Sequence, residues 1–162
     1  MIKNTFSISN RYLLLVFATC NISFAFAQTF TKITAGPVTN MIGDSRSVNW
    51  VDVNNDGWID LMITNGPKGG QNNFLYINDG AGSFDAISGD SIALDHAPSD
   101  GATFADTDND GDLDCYVANY YLSNNLFYVN DGNANFTRVQ DVVTSGGYCE
   151  TASWEIMIAM DL

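Results

Sequence analysis

The segment that decides the fold is DVNNDGWID, residues 52–60, because the chain returns to this pattern 54 residues later as DTDNDGDLD, residues 106–114. A second pair of segments keeps the same order, with NFLYINDG at 73–80 followed by NLFYVNDG at 125–132. Two markers in the same order with nearly constant spacing indicate an internal repeat of about 50 residues. Periods of this length are typical of solenoids and propellers.

Each repeat has the pattern of four short strands. Residues 48–51 alternate in polarity, residues 61–63 form an apolar run, and residues 74–77 form a third strand. The segment NDGAG at 78–82 is a strong turn signal, and Phe84 then opens a fourth strand. No stretch beyond the N-terminus sustains helical periodicity. The sequence therefore predicts an all-β fold built of β-propeller blades, each a four-stranded antiparallel sheet.

The N-terminus has the pattern of a secretory signal peptide, residues 1–27. Lys3 and Arg11 supply positive charge, residues 12–16 open an apolar run, and AFA at 25–27 matches a signal-peptidase site. The apolar run ends at that site, which favours a cleaved signal over a transmembrane helix. We therefore expect an exported protein, secreted or at the cell surface, with no membrane span after cleavage following Ala27.

Residues 28–162 are strongly acidic. Without Lys3 and Arg11 they carry four basic and nineteen acidic side chains, a formal charge of −15, and seventeen of the acids are aspartate. Aspartate favours turns and cation-binding loops over helices. This charge argues against nucleic acid as a partner, because phosphate repulsion would replace counterion release. The hydrophobic content of 46% is too high for a disordered acidic tail.

Few residues suit zinc or nucleophilic catalysis. His96 is the only histidine and has no cysteine neighbours, which argues against a zinc site or a histidine-based triad. Cys115 and Cys149 are the cysteines after the signal peptide. Export permits a disulfide between them, and two separate thiols are the alternative.

The two Asp-rich loops have the spacing of calcium sites. Oxygen-bearing side chains occupy the first, third, fifth and ninth positions, and glycine at the sixth permits a sharp reversal. Alternate side chains of a tightly curled loop converge on one point, and the carbonyl at the seventh position commonly adds a ligand. Redox-inert oxygen ligands favour calcium over transition metals. The predicted ligands of two Ca²⁺ ions are Asp52, Asn54, Asp56, the Trp58 carbonyl and Asp60, and then Asp106, Asp108, Asp110, the Asp112 carbonyl and Asp114.

Other interpretations of these loops fit less well. An EF-hand needs glutamate at the twelfth position between two helices, whereas Ile63 and Val117 stand there within predicted strands. A dockerin-like loop also needs an acid at that position. Ordinary polar turns are the remaining alternative, but the five acids of 106–114 repel one another unless a cation lies among them. The extra carboxylates predict tighter binding at the second loop, although repulsion in the metal-free state partly offsets this.

The two loops resemble those of FG-GAP repeats of the VCBS type, which are related to the integrin α-chain propeller. Segments 73–84 and 125–136 are similar to that family's strand and turn, N-x-L-Y-x-N-x-G-x-G-x-F. They depart from it in the order of the first apolar pair, and NAN at 133–135 replaces the glycine of the second turn. The resemblance covers essentially all of residues 28–162. It implies a β-propeller with one calcium ion per blade, bound in a hairpin loop.

The predicted ring is incomplete, because propellers close with at least four blades and residues 28–162 hold about two and a half repeats. A truncated third repeat begins at about residue 148, where TASW at 151–154 matches GATF at 101–104, and EIMIAMD at 155–161 then abandons the pattern. One hypothesis is a lost base, since restoring one G after the Trp154 codon forces Asp and Gly at the third and sixth positions of a new loop. A divergent tail is the alternative.

These observations favour a secreted, calcium-binding propeller fragment that acts as a non-catalytic adhesion or recognition module. The expected partner is a protein or a glycan, and self-association through open blade edges is a further expectation. A lectin-like, sugar-binding propeller is one alternative. Another is the non-catalytic N-terminal part of a larger secreted enzyme whose catalytic domain lies elsewhere. Neither alternative requires a catalytic residue within these repeats.

Overall fold

The computed structural model of the protein describes residues 30–140 and 146–154. The chain divides into two units, residues 1–32 and residues 33–162. Of the first unit only residues 30–32 are described, and they have no regular secondary structure. The predicted signal peptide and residues 155–161 therefore lie outside the described residues.

The first repeat forms a four-stranded antiparallel sheet. Its strands are β1 (Ser45–Val51), β2 (Asp60–Asn65), β3 (Phe74–Asn78) and β4 (Phe84–Ile87), and they lie side by side in chain order. Each neighbouring pair is antiparallel, so short reversals suffice to connect the strands. The strands predicted at 48–51, 61–63 and 74–77 and the one opened by Phe84 are confirmed.

The second repeat builds the same sheet again. Its strands are β5 (Ser99–Ala105), β6 (Asp114–Asn119), β7 (Leu126–Asn130) and β8 (Phe136–Val139), again in chain order. The pairing register is repeated as well, since Trp50 lies opposite Leu61 in the first sheet and Phe104 lies opposite Cys115 in the second. The all-β class is thereby confirmed.

In the described part of the chain, two helices of one turn each flank the sheets, and periodicity did not predict them. They are α1 (Pro37–Asn40) and α2 (Ser91–Leu94), each four residues long and too short to show a helical period. The Asp90 side chain caps α2 by accepting a hydrogen bond from Ile92 N at 3.1 Å. Its other oxygen accepts Phe136 N at 2.9 Å, so the link between the repeats is fixed to the edge strand β8.

The hydrophobic core lies between the two sheets, which meet where β1 and β2 contact β5. The first sheet contributes Met62 and Leu75, and the second contributes the fully buried Cys115, Val117 and Tyr128. Side chains alternate across a strand, so the neighbours Leu61 and Tyr76 point to the opposite face. The full cluster is Val51, Val53, Met62, Leu75, Ile92, Cys115, Val117, Leu126, Tyr128, Ala134 and Phe136.

Candidate functional site

The two Asp-rich loops connect equivalent strands, β1 to β2 and β5 to β6, and have the same backbone. Asn55 and Asn109 at the fourth position have φ of 58° and 65°, and Gly57 and Gly111 at the sixth have φ of 86° and 95°. Asparagine tolerates the left-handed region better than most residues and glycine adopts it freely. The positive φ angles at these two positions produce the sharp reversal that the sequence pattern predicted for each loop.

The second loop brings three carboxylates together. Asp106, Asp108 and Asp110 are exposed, and one oxygen from each lies within 4.8 Å of the others. The loop's own amides hold them: Gly111 N donates to Asp106 Oδ2 at 3.2 Å, and Asp110 N donates to Asp108 Oδ1 at 3.3 Å. Desolvation and the negative charge of Asp110 raise the pKa of Asp108, against the hydrogen bond from Asp110 N, which lowers it. A cation bound among the three would remove that repulsion.

The first loop replaces the central carboxylate with Asn54. Its amide donates to Asp56 Oδ2 at 2.9 Å, while Gly57 N donates to Asp52 Oδ2 at 3.0 Å. Asp52 Oδ1 is buried and has no hydrogen-bond partner among the described residues. A buried carboxylate oxygen without a partner is costly unless a ligand satisfies it. The donor set therefore fits a hard cation at this loop too.

The ninth-position aspartates, Asp60 and Asp114, are fully buried, unlike Asp106, Asp108 and Asp110. Each ties its loop to the third strand of its own sheet. Asp60 accepts Val53 N at 3.0 Å and Asn78 N at 2.8 Å. Burial raises the pKa of Asp60, although these two hydrogen bonds lower it.

Asp114 repeats this arrangement. It accepts Thr107 N at 3.2 Å and Asn130 N at 3.0 Å, and the Thr107 hydroxyl also donates to it. Asp114 does not belong to the group of three carboxylates in its loop. Bracing the loop is thus the role that the hydrogen bonds give these two residues, and metal ligation by either of them stays a prediction.

The seventh residue of each loop lies over the turn between the third and fourth strands. A Cβ at Gly80 would come within 2.5 Å of the Trp58 ring, and a Cβ at Gly132 would come within 2.5 Å of Asp112 Oδ2. Both glycines also have positive φ. The turn glycines are therefore required by close approach as well as by conformation. Ligation by the Trp58 and Asp112 carbonyls stays a prediction.

Sequence reasoning missed two asparagines that connect the loops across the sheets. Asn55 Nδ2 donates to Asp112 Oδ1 at 2.6 Å. Asn130 Nδ2 donates to Val53 O at 2.8 Å and to Leu113 O at 3.2 Å. The repetition of asparagine at both positions was visible in the sequence, but the partners Asp112 and Val53 come from the other repeat and cannot be found within one repeat.

A second asparagine network lies at the other end of the strands. Asn65 N donates to Asn73 Oδ1 at 2.9 Å, and Asn119 N donates to Asn125 Oδ1 at 2.8 Å. Asn73 Nδ2 also reaches Ser99 Oγ at 3.2 Å, which links the first sheet to the start of the second. All five of these residues are buried. They explain why asparagine recurs at these positions without any metal.

The cysteines and Asp95 lie outside the Asp-rich loops. Cys115 and Cys149 are not bonded to each other. Burial raises the pKa of the Cys115 thiol. Asp95 accepts hydrogen bonds from Arg138 Nη1 at 3.1 Å and from the Tyr128 hydroxyl.

In the described part of the chain, no helix is long and apolar enough to cross a membrane.

Residues 52–117 match the family model of the FG-GAP-like repeat. The match runs from the first Asp-rich loop through the second and into β6. It confirms the resemblance to FG-GAP repeats that these loops predicted. No curated protein matches the chain significantly.

Proposed function

We propose that the chain is a calcium-stabilised, propeller-like repeat module that is exported from the cell and serves in recognition rather than catalysis. The observation that carries the proposal is the convergence of Asp106, Asp108 and Asp110 in a loop of FG-GAP type. Export rests on the signal-peptide pattern of residues 1–27.

The arrangement of the two sheets supports the propeller interpretation. Each is a four-stranded antiparallel sheet with its strands in chain order. The first strands of the two sheets, β1 and β5, contact each other, as the innermost strands of adjacent blades do. The repeated register supports the same interpretation, because one blade geometry then serves both repeats.

Calcium would act on folding and shape rather than on a reaction. The second loop would hold the ion through Asp106, Asp108 and Asp110, and the first through Asp52, Asn54 and Asp56. A bound cation supplies the positive charge that these oxygen clusters lack, so its binding energy adds to the stability of the folded loop. Asp60 and Asp114 keep the loops attached to the sheets by their backbone hydrogen bonds.

Several acids outside the metal loops have structural partners, which favours a structural role for each of them. Asp90 caps α2, Asp95 pairs with Arg138, and Asp79 and Asp131 hold turns. Asp100 also has a charged partner, since one of its oxygens lies 3.8 Å from Arg46 Nε.

A sugar-binding role is the second candidate, and a groove between the sheets favours it. A cavity of about 180 Å³ is lined by Arg46, Gly66, Asp100, Tyr120, Tyr121 and Glu150. Tyr120 packs edge-to-face against Tyr121 at 5.0 Å between ring centroids. Two carboxylates and a guanidinium in the lining suit the hydroxyl groups of a sugar. Binding on a glycan array that is lost in Tyr121→Ala and kept in Phe84→Ala would favour this candidate.

The test of the calcium proposal is isothermal titration together with thermal unfolding. The parent should bind Ca²⁺ and gain about 2.7 kcal/mol per site at a hundredfold excess over the dissociation constant. Asp110→Ala should lose the second site, and Asp85→Ala, which removes an exposed acid of β4, should keep it. Equal stabilisation of Asp110→Ala and the parent by calcium would refute the assignment.

A further inference from the structure

We infer that the two metal loops are energetically coupled, so that an ion in one loop raises the affinity of the other, and that Asn55 carries part of this coupling. The inference rests on the proposed calcium sites. It assigns a role to a loop position that is not itself a predicted ligand.

The first link is the hydrogen bond from Asn55 Nδ2 to Asp112 Oδ1, at 2.6 Å. Asn55 stands between Asn54 and Asp56, two predicted ligands of the first loop. Asp112 contributes the predicted carbonyl ligand of the second loop. An ion that fixes the Asp112 backbone therefore also fixes the partner to which the first loop is attached.

The second link is Asn130, which is buried at the end of β7. Its amide donates to Val53 O in the first loop and to Leu113 O in the second. Val53 lies between Asp52 and Asn54, so this bond holds the other half of the first ligand set. One carboxamide thus spans both loops, and Asn130 and Asn55 hold the first loop on either side of Asn54.

These contacts couple the sites through conformational entropy. A free loop must lose backbone freedom when it closes around an ion. A second loop already ordered by its ion supplies fixed partners, so that the first loop has less freedom left to lose. Coupling of this kind is reciprocal, and either ion should strengthen the binding of the other.

Asn109 offers a matched control within the same chain. It occupies the same fourth position and has nearly the same φ, 65° against 58° for Asn55. No hydrogen bond joins Asn109 to the first sheet within residues 30–140 and 146–154. Because glycine accepts this backbone region, Asn55→Gly and Asn109→Gly impose the same change in main-chain freedom and differ in the inter-sheet contact.

The experiment uses terbium(III) as the probe, excited through tryptophan. Trp58 is the seventh residue of the first loop, so sensitised emission should report that site, and its loss in Trp58→Phe checks the assignment. The second loop is disabled with Asp106→Asn, which keeps an oxygen acceptor for Gly111 N and leaves Asp112 unchanged. Thermal unfolding in EDTA establishes that each variant is folded.

We expect Asp106→Asn to weaken terbium binding at the first loop about fivefold, the factor that one net hydrogen bond corresponds to. In the Asn55→Gly background the same change should have a smaller effect, because only the Asn130 link then remains, whereas in Asn109→Gly it should keep its full effect. Asp112→Ala should reproduce Asn55→Gly, and the two should not add.

Two outcomes separate the failures. If the parent shows no saturable binding of Tb³⁺ or Ca²⁺, the proposed calcium sites are wrong and the coupling falls with them. If the parent binds but Asp106→Asn leaves the first loop unaffected, or if Asn55→Gly and Asn109→Gly behave alike, the coupling alone is overturned.

Discussion

Replacing Asp114 with alanine should destabilise the fold by about 3–5 kcal/mol even without metal, because a buried charged acceptor is removed. Its carboxylate is fully buried and accepts Thr107 N, the Thr107 hydroxyl and Asn130 N. A hydrogen bond to a charged group contributes about 1.5–3 kcal/mol, and the Asn130 amide would be left unsatisfied in the interior. Thr107 is exposed, so water can replace the two hydrogen bonds that it loses.

The assay is urea unfolding in EDTA, followed by tryptophan fluorescence and circular dichroism. Asp106→Ala is the control, because it removes an exposed aspartate of the same loop that accepts a hydrogen bond from Gly111 N. The control should lose less than about 1 kcal/mol, the typical net value of one exposed hydrogen bond. If Asp114→Ala is no less stable than Asp106→Ala in EDTA, the bracing role of the ninth position is wrong.

Three further predictions concern single positions. Gly80→Ala should lower Tm more than Gly82→Ala, because both glycines have positive φ but only a Cβ at Gly80 would clash with the Trp58 ring. Equal losses of Tm would argue that the approach of Trp58 to Gly80 does not matter for stability. Hydrogen bonds, above all the one from the Asn135 side chain, lower the pKa of Asp131 in the folded protein. The ionised carboxylate therefore contributes to folding stability above the unfolded pKa, and this contribution is lost as the pH falls through the folded pKa. The Tm difference between the parent and Asp131→Asn should therefore shrink on acidification, and a constant difference from pH 7 to pH 3 contradicts this. Cys115 is fully buried and should resist alkylation in the folded protein, whereas the half-buried Cys149 should react; mass spectrometry of labelled peptides distinguishes the two, and equal labelling would contradict the packing.

Several features could be predicted from one sequence because they are encoded locally and repeated. The strands of the first sheet follow from short apolar runs between turn segments such as 78–82, and the second sheet repeats them. The curled Asp-rich loops follow from glycine at the sixth position, where the backbone takes a positive φ. The short helix at 91–94 could not be predicted, since it depends on a capping aspartate that also binds β8.

The candidate site also combines features that the sequence predicted with features that depend on the fold. The spacing in 106–114 predicted the convergence of Asp106, Asp108 and Asp110, because alternate side chains of one curled loop must lie close together. The same spacing also predicts Asp114 as a ligand, which stays a prediction, and the structure adds that Asp114 is buried and accepts a hydrogen bond from Asn130 N of β7. A sequence pattern specifies which oxygens are available, but burial and competing donors determine what each one binds.

The sequence by itself determined the repeat, the all-β class and the acidic loops, because each depends on residues close together in the chain. Only the tertiary structure decided how the two repeats are joined. Asn55 meets Asp112 across 57 residues, and Asn130 meets Val53 across 77. Contacts at such separation form only when two sheets pack face to face, and the order of residues along one repeat carries no record of that packing.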